Sequence, residues 1–66
     1  MSSVGEDFPK EQARVRALAQ EYALLGRPGM FVSLQLDQVL ERAERAAASG
    51  DVIEILRAYA ALKECK

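Results

Sequence analysis

Apolar residues recur along this chain at intervals of three and four, in three runs separated by two glycine-centred interruptions. In the first run Val15, Leu18, Tyr22 and Leu25 share one helical stripe, while Lys10, Glu11, Arg14, Arg16 and Glu21 fall off it. Asp7-Phe8-Pro9 sets its start, because a proline in the first turn lacks only an amide hydrogen that has no partner there. Gly26-Arg27-Pro28-Gly29 ends it, with Gly26 expected at positive φ and Pro28 unable to continue the hydrogen-bond ladder. The spacing therefore predicts a helix over about 8–25, with residues 1–6 disordered ahead of it.

The second run opens at Met30 or slightly later. Val32, Leu36, Val39, Ala43 and Ala46 form its stripe, Leu40 and Ala47 widen it, and Asp37, Glu41, Arg42, Glu44 and Arg45 form the outer face. A helix over about 31–48 follows. Ser49-Gly50-Asp51 then supplies a stop and a start: Gly50 ends the second helix, Asp51 caps the third, and Glu54, three residues on, completes a capping box. The third helix, about 52–63, places Val52, Ile55, Leu56, Tyr59 and Leu62 on one face, and Ile53 with Ala60 extends that face around much of the circumference. The β-leaning stretch from Met30 to Leu36 has no pairing partner and joins the helical stripe in phase, so no strand competes. The fold class expected is all-α, a small three-helix bundle forming a single domain over 1–66.

Composition changes this picture in one respect. With 66 residues, half of them apolar and many of those alanine, the chain is globular but short of buried area, since a domain this size buries only about 60% of its unfolded surface. Domains of this kind add a disulfide, a metal or a partner subunit. One cysteine forbids an internal disulfide and the lack of histidine removes the commonest metal ligand, so a partner subunit is the remaining supplement.

The net charge of −1 is evenly spread, with four basic and four acidic residues before residue 34 and five and six after it. No field exists to steer a polyanion, and a chain that is 29% charged does not read as a membrane span. The N-terminal residues carry no positive segment followed by an apolar run, which makes the cytoplasm the expected location. Cys65, next to last in the chain, reads as a free thiol at a frayed helix end, without the aliphatic residues of a prenylation signal.

Candidate chemistry is sparse. Asp37, Glu41 and Glu44 share a helical face at a spacing that could share a cation, but neither histidine nor facing carboxylates beyond Glu54 accompany them, and Glu41 can pair with Arg45. Cys65 has no base beside it. Gly26 to Gly29 is too short for a phosphate loop and no Lys-Ser or Lys-Thr follows it. With no catalytic, cofactor-binding, metal or small-molecule site in view, a non-enzymatic protein is expected.

Three resemblances touch the chain. Ala46, Gly50 and Leu56 are spaced as in DNA-binding helix-turn-helix units, but the recognition positions would fall on Val52, Ile53 and Ala58, with Glu54 repelling phosphate and Arg57 alone attracting it. A nucleic-acid accessory role is thus the alternative rather than the first reading. Gly50-Asp51 with Ile55, Tyr59 and Leu62 is similar to the second half of a tetratricopeptide repeat, which implies an αα-hairpin. Phe8-Pro9-Lys10-Glu11-Gln12 with Arg14-Val15, and Gly50-Asp51-Val52-Ile53 through Arg57, Tyr59 and Leu62-Lys63-Glu64-Cys65, resemble a group of short uncharacterised proteins of bacterial and prophage genomes. That resemblance implies a small accessory protein and brings no chemical motif with it.

Counting faces points to self-association. Three helices can each bury one stripe, yet the second opens with Met30, Phe31, Val32 and Leu34 pointing several ways and the third carries Ile53 beside Val52. A two-fold homodimer, or a pairing with another protein, would cover Phe31, Leu34, Ile53 and Tyr59. The competing arrangement has Phe31 folded back as a plug over the end of the bundle.

Overall fold

In the computed structural model, which describes residues 3–66, the chain is a three-helix bundle of α1 (Val4–Ala23), α2 (Arg27–Ser49) and α3 (Val52–Glu64). Contacts between α1 and α3 rise together along both helices, from Asp7 with Tyr59 through Arg14 with Leu62 to Tyr22 with Lys66, so these two helices run parallel and α2 runs against them. The longest dimension of the bundle is 36 Å, close to the length of about 35 Å that the 23 residues of α2 span at 1.5 Å per residue. At about 20 Å, the 13-residue α3 is too short to follow α2 to its N-terminal end.

Both proline-bearing helix starts lie earlier than the spacing predicts. α1 begins at Val4, capped by Ser3, whose Oγ accepts from the Glu6 amide at 3.3 Å. The segment over 4–6, expected outside the fold, is thus its first turn, and Met1 and Ser2 lie outside the described residues. Glu6 and Asp7 lie where the helix dipole favours negative charge. Pro9 stands inside the helix at its sixth residue, where it forfeits a hydrogen bond to Gly5. The burial of Phe8 and the anchoring of Asp7 on α3 hold the turn helical all the same. The first-turn argument belongs to Pro28 instead: it is the second residue of α2, which opens at Arg27 with the Met30 amide bonded to the Gly26 carbonyl at 2.9 Å. Gly26 has the expected positive φ, 84°, but it caps the start of α2, while α1 has already ended at Ala23, leaving Leu25 exposed beyond its stripe.

At the second turn Gly50 is left-handed at φ 71°, and one Asp51 carboxylate oxygen accepts from Ile53 and Glu54 amides at 3.0 and 3.4 Å. The capping box is not closed by Glu54, which turns to Arg57 at 3.5 Å. The Asp51 amide donates instead to Ser49 Oγ, which itself donates to the Ala46 carbonyl.

The core is narrow and rich in alanine: Phe8, Val15 and Ala19 from α1, Leu36, Leu40, Ala43 and Ala46 from α2, and Ala58 and Leu62 from α3. Small residues let the helix axes approach closely, most of all at Gly29, which the spacing assigns merely to a turn. It is buried in α2, and a Cβ there would overlap the Tyr22 carbonyl and lie 2.7 Å from Leu25 Cβ. Gly29→Ala should therefore destabilise by about 1–3 kcal/mol, the range of overpacking changes, because backbone has to move. Urea unfolding checks this, and an unchanged midpoint would place the α1–α2 contact elsewhere.

Candidate functional site

Two groups of side chains stand apart from the core: a cluster that joins α3 to α1, and an apolar outer surface. The cluster centres on Tyr59. Its ring packs on Phe8 at 6.5 Å between centroids and 27° between planes, its hydroxyl donates to Asp7 Oδ2 at 2.5 Å, and Lys63 lies 5.4 Å from the ring centroid and 3.7 Å from the same Asp7 oxygen. The bond to Asp7 and partial burial raise the phenol above its ordinary value of 10.0, against an opposing pull from Lys63. Tyr59, expected at an interface between chains, is thus half-buried and engaged within its own chain.

Arg14, assigned by spacing to the solvent face, closes the C-terminal end of α3. Its guanidinium donates to the carbonyls of Cys65 and Leu62 at 2.9 and 2.8 Å and to Glu11 Oε2 at 2.6 Å. A forked cation suits the free carbonyls and negative dipole end of a helix C-terminus. Cys65 is accordingly not frayed: it is half-buried against the core, its thiol donates to the Ala61 carbonyl at 3.4 Å, and burial raises its pKa while Arg14 pulls the other way. Among the acidic trio, Glu44 turns to Arg16 of α1 at 3.5 Å, and the expected Glu41–Arg45 pair does not form. No group of three metal-ligating side chains comes together among the described residues.

The apolar surface has two parts. At the α1–α2 turn Leu24, Leu25, Met30, Phe31 and Leu34 are all exposed, and on α3 Val52, Ile53 and Leu56 are exposed as well. Gly29, Ser33, Leu36 and Leu40 point α2 inward, so Phe31 faces most directly away from the core, with Leu34 and Met30, one turn apart, exposed on the flank beside it. Phe31 is 73% exposed, which removes the plug arrangement. Of the face expected on α3, Ile55, Tyr59 and Leu62 do turn to the core, with Ala58 between them, but Val52 and Leu56 do not; Val52, Ile53, Leu56 and Ala60 form its outer side. Phe31 and Leu34 are together, but Ile53 lies at the opposite end of the bundle: the stretch of α2 from Phe31 to Ser49 alone spans about 27 Å. The four residues expected at one interface therefore do not form one patch.

No protein-family model, curated protein or solved structure matches this chain. The likeness to short bacterial and prophage proteins accordingly rests on the residues quoted for it. No helix among the described residues is long and apolar enough to cross a membrane.

Two expectations follow from the α1–α3 cluster. Arg14→Ala should cost about 1 kcal/mol in urea unfolding, the charge-assisted bonds being discounted for exposure, and Arg14→Lys should restore only part, since an ammonium cannot fork between two carbonyls; full recovery with lysine would show that charge alone matters. The Tyr59 phenol has its pKa raised on folding, so its contribution to stability is complete below the unfolded value near 10.0 and is lost as pH rises through the higher folded value. In an ultraviolet titration of a Tyr22→Phe chain, Asp7→Asn should move the remaining phenol back toward 10.0.

Proposed function

We propose that this chain is a non-enzymatic helical interaction and assembly module, of the kind a bacterial or prophage accessory protein would use in the cytoplasm, and that it associates with itself. The observation that carries this reading is the apolar outer face of α2 beside the α1–α2 turn, where Met30, Phe31 and Leu34 stand in water with Leu24 and Leu25 next to them. Soluble monomers tolerate only a few hundred Å² of contiguous apolar surface, and a closed two-fold pair covers one patch twice. The groups that chemistry would require are occupied with the fold: Asp7, Tyr59 and Lys63 join α3 to α1, and Arg14 caps α3. The nucleic-acid alternative would ask α3 to present polar side chains to base edges, whereas Val52, Ile53, Leu56 and Ala60 face outward along most of it, Arg57 is turned to Glu54 and Lys63 to Asp7.

Sedimentation over a concentration series tests the proposal. The wild-type chain should show a mass that rises toward twice the monomer, and Phe31→Asp should return it to monomer with its helical circular dichroism retained. A compact wild-type monomer at high micromolar concentration would overturn it.

A further inference from the structure

Arg27, Met30, Leu34 and Asp37 are spaced by three, four and three residues along the outer side of α2, and all four are exposed. This is one short seam of the kind by which helices pair side by side, apolar at its two middle positions and oppositely charged at its two ends. Neither Arg27 nor Asp37 takes part in an ion pair among the described residues; the pairs present are Arg14 with Glu11, Arg16 with Glu44, Arg57 with Glu54 and Lys63 with Asp7.

From the position of these charges we propose that the occupant of this face is a second copy of the chain, with the two α2 helices antiparallel about a two-fold axis level with residue 32. Resting on self-association as proposed above, this assigns its face and register. Each Met30 then faces the partner's Leu34, each Arg27 faces the partner's Asp37, and the two Phe31 side chains flank the axis on the same side. The seam is self-complementary only in this direction. A parallel pair would set Arg27 against Arg27 and Asp37 against Asp37, two like-charge layers around the same apolar centre. The exposed Val52, Ile53 and Leu56 lie at the far end of the bundle, outside this seam.

The test is sedimentation equilibrium of the full chain with four sets of variants, each checked for helicity by circular dichroism. Leu34→Asp should abolish the dimer, and Ile53→Asp should leave it unchanged. Arg27→Asp and Asp37→Arg should each weaken it about ten-fold, since each reversal replaces two attractive layers by two repulsive ones. The double reversal should return the wild-type dissociation constant. An acidic residue at position 27 suits the first turn of α2, so weakening by Arg27→Asp cannot be put down to a melted helix. A wild-type monomer would overturn self-association itself. A wild-type dimer whose single reversals have no effect, whose double reversal fails to recover, or which dissociates with Ile53→Asp but not Leu34→Asp would overturn this face and register while leaving self-association intact.

Discussion

The contact between Gly29 and the last turn of α1 sets the phase of α2. Because the Tyr22 carbonyl occupies the space a side chain would need, residue 29 has to face α1, and at 3.6 residues per turn the positions of its neighbours follow. Ser33, Leu36 and Leu40 come inward, and Met30, Leu34 and Phe31 go outward. A single absent side chain thus brings the helices together and sends the largest apolar residues of that segment into water. The buried core and the exposed apolar surface are two sides of one helix in one phase.

That inner side is modest. Four of the nine core residues are alanine, and the largest fully buried side chains are Leu62 and Val15. Alanine permits close helix packing but removes little area from water, so hydrophobic burial alone leaves such a bundle marginal. Polar contacts supplement it where α3 meets α1, with Tyr59, midway along α3, on Asp7 near the start of α1, and Arg14 on the Leu62 and Cys65 carbonyls at the end of α3. These two contacts hold the shortest helix along α1. A subunit seated on the outer face of α2 would add burial at the end of the bundle that α3 does not reach.

Much of the bundle is legible in residue order. The three periodic runs, the glycine stop at residue 50, the Asp51 cap and the positive φ of Gly26 are local properties, set by how one residue treats its own backbone or the next turn. The same local logic, applied to the wrong proline, misplaces two helix starts. The Ser3-Val4-Gly5-Glu6 pattern carries the cap signal for the true start of α1, and Pro28 is the proline that sits in a first turn. What overrode the local reading at Pro9 was the burial of Phe8 and the hold of Tyr59 on Asp7, across more than fifty residues of chain.

By itself the sequence determined the helical class, the number of helices and the surplus of apolar residues over what three stripes can bury, because periodicity and capping act over a few residues. Tertiary structure alone decided which of those residues are surplus. Tyr59 and Leu34 are both expected at one interface, and nothing in the spacing separates Arg14 from Arg27 as a solvent charge. Packing sends Tyr59 and Arg14 to neighbouring helices and leaves Leu34 and Arg27 outside. The difference lies in the rotation of each helix about its axis and in where a neighbour ends, and these are set by contacts such as Gly29 on Tyr22 that no local pattern encodes.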